Sequence, residues 1–361
     1  MNDPRNVAVG IIGLGNIGRY HADRLRSSGT EIVGGMDVLP EARERFERDY
    51  GVPTYDDYEE LYELSDAIVV TTPNKFHEEY AVSALEAGLD VLLEKPLAHT
   101  VESAERIAAA AEAAEGFCMV GFHNRYLPPI EVLTTERDRG RFGDLSHVEA
   151  NYVRRRGIPG RGSWFTSREI AGGGALIDIG VHALDLALYV LDFPEIEEVT
   201  GVARSEFGTR EDYTYLQMWG EDAGHERFDV EDSVTAFIRC AGGRTISLDV
   251  AWAANRPTDD QFVVRGTNAG ARLDRATGEM TIFETSADGS AHFSDTDVRT
   301  RERDAHAAEQ ATFLQAVAAG TPPERNTVEQ GLLVQRLIDA IYRSSEEGRA
   351  IRFDEPLLAA D

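Results

Sequence analysis

Lysine is almost missing from this chain. Of its 36 basic residues only Lys75 and Lys95 are lysine, the other 34 being arginine. Whatever stripped lysine from the surface left two behind, and each is a candidate for work that needs a compact, tunable ammonium. Cysteine is equally scarce. Cys118 and Cys240 lie in apolar or alternating stretches and form no close-spaced ligand pair. That excludes a disulfide framework and a zinc site, so no metal is expected, and it fits a reducing, cytoplasmic compartment. No apolar run approaches the about 18 residues of a membrane-spanning helix, and Met1 to Pro4 leads into a strand-like segment with no basic-plus-apolar leader, so a soluble protein is expected. Positive charge is short overall: 64 acidic side chains give a formal net charge of −28, which repels a phosphate backbone and argues against nucleic acid as a partner. The acid is spread along a chain that is 42% hydrophobic, so disorder is excluded too. Such a surface suits a salt-accumulating halophile, since the Debye length is about 3 Å at 1 M salt and self-repulsion shrinks.

What is present reads as two domains in 361 residues. Over 1–125, strand-like runs at 7–13, 31–37, 67–71, 90–93 and 117–122 alternate with helical spacing at 17–26, 41–50, 76–86 and 101–114. This α/β alternation predicts a doubly wound parallel sheet. Over 126–361 the pattern changes to strands at 145–156, 197–206, 233–239, 245–252, 261–265, 271–273 and 280–284, with helices at 179–191, 302–319 and 327–345. A hairpin turns at Ala241-Gly242-Gly243-Arg244, and residues 352–361 read as a polar tail or edge strand. The second domain is therefore α+β around a mainly antiparallel sheet.

Gly13-Leu14-Gly15-Asn16-Ile17-Gly18 follows the first strand and opens the first helix, the context in which such a glycine string cradles a pyrophosphate. Asp37 ends the next strand 19 residues after Gly18, where a carboxylate binds ribose hydroxyls and repels a 2′-phosphate. The expected cofactor is NAD, with NADP disfavoured. Thr72-Pro73-Asn74, followed by Lys75 and His77, and Glu94-Lys95-Pro96 stand at two further strand ends, where ligands bind in such sheets. Proline fixes the residue before it, so Lys95 presents its ammonium in a set direction and can lower the pKa of a bound hydroxyl. Asp178 and His182 are four apart at a helix start, on one face, after the Gly172-Gly173-Gly174 run that permits close approach of a ligand to backbone. His182 can take a proton near neutral pH. Arg154 and Arg156 share a face if the strand at 145–156 continues through them, and two arginines there suit an anionic substrate. Trp164 can stack on a sugar ring or the nicotinamide, or serve as core.

Taken together with His21, His77 and Asn124-Arg125-Tyr126, these motifs resemble the glucose-fructose oxidoreductase, inositol dehydrogenase and rhizopine-catabolism (Gfo/Idh/MocA) dehydrogenases, over nearly the whole chain and in order. The resemblance implies a Rossmann domain and a C-terminal domain with a large open sheet that pairs subunits as a homodimer or homotetramer. It implies NAD(P)-dependent oxidation of a secondary hydroxyl of a sugar, sugar acid or cyclic polyol. Lys95 would orient the hydroxyl, His182 act as base and Asp178 bind substrate, with Arg125, Arg154, Arg156 and Trp164 lining the substrate site. Gly13, Gly15, Asn16, Ile17, Gly18, Asp37, Thr72, Pro73, Asn74, His77, Glu94 and Lys95 would hold the cofactor. Histidine at 182 is similar to the inositol and secondary-alcohol branch. A non-catalytic NAD-binding regulator, or a sugar-processing enzyme using transient hydride transfer, are the alternatives.

Overall fold

The computed structural model describes residues 3–216, 220–353 and 357. Most of the expected polar tail, 354–356 and 358–361, lies outside them. In chain order the elements are β1 (Ala8–Ile12), α1 (Asn16–Ser28), β2 (Glu31–Met36), α2 (Pro40–Tyr50), β3 (Thr54–Tyr55), α3 (Glu59–Glu63), β4 (Ala67–Val70), α4 (His77–Glu86), β5 (Asp90–Leu93), α5 (Val101–Ala113) and β6 (Cys118–Val120). There follow α6 (Pro128–Asp138), β7 (Leu145–Val153), α7 (Arg168–Ala171), α8 (Val181–Val190), β8 (Ile196–Arg204), β9 (Ser233–Cys240), β10 (Thr245–Ala251), β11 (Gln261–Gly266), β12 (Ala269–Asp274), β13 (Met280–Ser286), β14 (His292–Val298), α9 (Ala305–Ala319), α10 (Val328–Glu347) and β15 (Ile351–Arg352).

Two compact units result, one of Met1–His123 with Asp304–Gln335 and one of Asn124–Arg303 with Arg336–Asp361. In the first, six parallel strands run in the order β3-β2-β1-β4-β5-β6, the doubly wound arrangement whose switch point lies beside β1. Its central strands are apolar throughout because helices cover both faces; all four residues of β4 are fully buried. The expected second domain ran unbroken from 126 to 361, whereas residues 304–335 fold with the first unit. A pair of anchors explains this. The Asn326 amide donates to the Val120 carbonyl at 3.0 Å and to Glu309 at 2.9 Å, extending the edge at β6, and Gln310 on α9 reaches a buried histidine on α1.

The second unit holds a nine-stranded sheet ordered β14-β13-β12-β11-β7-β10-β9-β8-β15. Its pairs are antiparallel except β7 with β10, which run parallel from His147 opposite Thr245 to Val153 opposite Ala251. The hairpin between β9 and β10 turns on Gly242 and Gly243, both at positive φ. β7 stops at Val153, so Arg154 to Arg156 lie in a bend and the expected alternation of their side chains does not hold. The sheet's inner face (Val148, Ala150, Val234, Ile238, Ile246, Leu248) packs beneath helices that include α8, nine of whose ten residues are buried. The stretch Arg168–Val190 is, contrary to expectation, long and apolar enough to cross a membrane by length and composition alone; 89% of its window is buried inside the fold, so core packing accounts for its apolar character.

Candidate active site

In the first unit the glycine turn is built by exclusion. Gly13 takes φ +90°, where a Cβ would strike the backbone of Thr71 and Thr72, and a Cβ on Gly18 would strike the Gly13 carbonyl. The Thr71 hydroxyl donates to that carbonyl at 2.6 Å, locking β1 to β4 at the switch point. Gly15 differs: a Cβ there would meet nothing, so its backbone faces open space. Gly15 caps α1 without any side-chain hydrogen bond, which leaves the first turn of a 13-residue helix suited to an anion. Asp37 accepts from the Leu14 amide at 2.8 Å and the Leu39 amide at 2.9 Å, tying the acid to the turn. Ile17, Val38 and Leu39 are exposed apolar side chains around it, and the Thr72 hydroxyl is buried without a partner among the described residues. An open backbone cradle, an uncapped helix start, an anchored acid and an orphaned hydroxyl fit a dinucleotide. Val38 and Leu39 had a signal in the sequence, as apolar residues directly after a strand-end acid, that the motif reading passed over.

Two expected cofactor residues, His77 and Glu94, also act as internal supports. His77 is 1% exposed; its Nδ1 faces the Pro96 carbonyl and its Nε2 the Thr72 carbonyl, each at 2.9 Å. It bridges two strand-end loops, and burial pushes its imidazole down. Glu94 accepts from His21 Nε2 at 2.8 Å and from the Lys95 amide at 3.1 Å. Burial pushes its carboxyl up, but the hydrogen bond from His21 and the nearby Lys95 ammonium outweigh this and hold it below the usual carboxylate range. Lys95 itself is half-buried and precedes a cis peptide bond to Pro96. Asn74 is buried and Pro73 half-buried at the neighbouring strand end.

In the second unit Asp178 sits within a π-helical turn, Leu176–Gly180, that runs into α8, where the sequence predicted an ordinary helix. Such turns recur at functional sites. Trp252 donates to Asp178 at 2.9 Å, and His182 lies one turn on, 7% exposed. The glycine run before them serves packing. A Cβ on Gly173 would strike the Tyr342 hydroxyl and one on Gly174 the Glu231 carbonyl, while the buried Glu231 carboxylate accepts from Gly174 and Leu176 amides and the Tyr342 hydroxyl, each at 2.9 Å. Glu231 thus fixes the segment that carries Asp178, a role with no local signal in the sequence.

Arg125 does not fit a substrate role. Its guanidinium is 0% exposed and paired through several contacts with the equally buried Asp185 on α8, with the rings of Tyr189 and Phe193 each 5.0 Å away. Arg156 likewise serves the loop, donating to the Arg155 and Ala254 carbonyls and to Asn255. Arg154 donates to the Gly157 carbonyl and the Tyr152 hydroxyl, both at 3.2 Å, with Asp178 in electrostatic range. Trp164 stacks on Phe165 with centroids 3.8 Å apart, half-buried.

This parallel sheet with its glycine turn and strand-end acid is that of an NAD-binding oxidoreductase. Residues 7–122 match the GFO_IDH_MocA model (oxidoreductase family, NAD-binding Rossmann fold) and residues 135–272 match the GFO/IDH/MocA C-terminal domain. The chain belongs to the GFO/IDH/MocA family and is an NAD(P)-dependent oxidoreductase acting on CH–OH groups. It is 32% identical to D-glucoside 3-dehydrogenase of Escherichia coli (strain K12), over 95% of this chain and 96% of that one. It is 30% identical to glucose-6-phosphate 3-dehydrogenase of Bacillus subtilis (strain 168), over 59% and 63%. The solved structure of levoglucosan dehydrogenase with NADH and L-sorbose shares the fold at a TM-score of 0.84 and 23% identity, covering 96% of this chain and 98% of that one.

Behind Glu94, His306 stacks on His123 at 3.6 Å and lies edge-on to Tyr20. Burial pushes its imidazole down from 6.5 to about 4. A base whose folded value is depressed contributes full stability above 6.5, and this is lost as pH falls towards 4, because the unfolded chain takes up the proton first. We expect His306→Gln to lose less thermal stability than the parent between pH 7 and pH 4.5; parallel midpoint curves would refute this.

Proposed function

We propose that the protein oxidises a secondary hydroxyl of a sugar, at position 3 of a glucose unit, with NAD as acceptor. Lys95 carries the reading. It is one of two lysines in the chain, half-buried, at the end of β5, with its amide held by Glu94. Two relatives take their names from position 3 of a glucoside or glucose phosphate. The bound nicotinamide supplies the hydride acceptor. Lys95 orients the hydroxyl and stabilises developing negative charge on its oxygen, His182 takes its proton, and Asp178, steadied by Trp252, hydrogen-bonds the neighbouring ring positions. The engagement of Arg156 with loop carbonyls and of Arg154 with Tyr152 favours a neutral glucoside over an anionic sugar. Asp37 takes the ribose hydroxyls, with Val38 and Leu39 against the adenine.

We further propose self-association through the outer face of the nine-stranded sheet, where Val202 and Phe237 are 48% and 41% exposed on neighbouring strands. Phe237→Glu should shift the sedimenting species to a smaller one in molar salt; an unchanged distribution removes that surface from the proposal.

NADH release in molar salt, screened over glucosides, inositols, uronates and sugar phosphates, tests the substrate. Glucosides should give the signal, and turnover confined to the anionic sugars would overturn the assignment. Lys95→Ala and His182→Ala should each lower kcat by about 100-fold or more, with NADH affinity, read by fluorescence, little changed. Full turnover in either variant defeats the role given to it. Asp37→Ala should cut the NAD over NADP preference by about 10-fold, and an unaltered ratio would sink the ribose contact.

A further inference from the structure

Gln310 lies on α9, in the segment that returns to the dinucleotide-binding unit, and is 3% exposed. Its amide nitrogen is 2.7 Å from His21 Nδ1 and 3.3 Å from the His21 carbonyl. A carbonyl only accepts, so the amide orientation is fixed, and Nδ1 faces a donor. Nδ1 is therefore unprotonated, and the ring carries its proton on Nε2, which points at Glu94 Oε1 at 2.8 Å. The His21–Glu94 contact is thus a hydrogen bond from a neutral imidazole to a carboxylate. The other carboxylate oxygen accepts from the Lys95 amide. The chain Gln310, His21, Glu94, Lys95 runs through buried groups with a donor set against an acceptor at each junction.

We infer that Gln310 is a positioning residue for Lys95: by fixing the His21 tautomer it keeps the Glu94 carboxylate turned to accept the Lys95 amide, which sets the strand end from which the ammonium projects. With the other tautomer, two donors would meet at Nδ1 and two lone pairs at Glu94, and the carboxylate would turn away from Lys95. The charged and titratable groups around His21 are Glu94, His306 with its ring 6.1 Å away, Tyr20 beside it, His123 stacked on His306, and Arg24 paired with Asp304 over the Tyr20 ring. No sequence pattern joins residues 21, 94 and 310; the fold alone brings them together.

This inference rests on the catalytic reading of Lys95, and two separate measurements test it. Long-range proton–nitrogen correlation spectra of the full chain labelled at histidine, with His21 identified by its loss in His21→Gln, should show a pyrrole-type Nε2 and a pyridine-type Nδ1. In Gln310→Glu, which offers Nδ1 an acceptor, both nitrogens should become protonated. Gln310→Met, of similar shape but unable to donate, should lower kcat by about 10-fold or more while leaving NADH affinity within about twofold, because the glycine turn is untouched. In a Lys95→Ala background the same change should have little further effect on residual turnover. A protonated Nδ1 in the parent, an unchanged kcat in both Gln310 variants, or full additivity with Lys95→Ala would each overturn the positioning role. Full turnover of Lys95→Ala alone would instead overturn the reading on which it rests.

Discussion

A carboxylate inside a protein is costly unless donors answer its oxygens, and in the dinucleotide-binding unit Glu94 has a donor on each. Glu94 is 9% exposed, with His21 on one oxygen and the Lys95 amide on the other. Leaving such a charge unpaired costs several kcal/mol, on the order of 3–5 when one partner of a buried pair is removed. The constraint therefore reaches outward. It requires His21 on α1 in one tautomer, Gln310 on α9 to select that tautomer, and residues 304–335 folded against β6 to deliver Gln310.

The second unit repeats the device with different partners. Asp185 in the middle of apolar α8 is answered by Arg125, and Glu231 by two backbone amides and the Tyr342 hydroxyl. Each buried acid fastens a segment: Asp185 fixes the helix that bears His182, and Glu231 fixes the glycine run before Asp178. In a chain of net charge −28, most carboxylates stay hydrated on the surface, and the few that are buried act as rigid fasteners. Arginine suits this economy, because a fork of donors saturates a buried carboxylate where a single ammonium would leave lone pairs unmet.

The glycines divide by the same physical test. Gly13 and Gly18 are small because backbone crowds them, and Gly173 and Gly174 because Tyr342 and Glu231 do, whereas Gly15 faces open space. From sequence all five look alike. The motif marked the first turn as a cradle, but a string of glycines before Asp178 carried no mark distinguishing ligand approach from packing.

The sequence by itself determined the parallel sheet, the glycine turn with Asp37, the strand-end position of Lys95 and the spacing of Asp178 and His182, because each follows from local periodicity and residue chemistry within about 25 positions. It did not reveal the parallel β7–β10 pair inside an otherwise antiparallel sheet, the end of β7 at Val153, or the π-turn at Asp178, since these depend on which distant strand or helix lies alongside. Arg125 and His77 looked like site residues because polar side chains in motifs usually are; the fold buries both, one against Asp185 and the other between two backbone carbonyls. Which residues touch across 289 positions, as Gln310 and His21 do, was settled by tertiary packing alone, for a hydrogen bond between helices leaves no period in the chain.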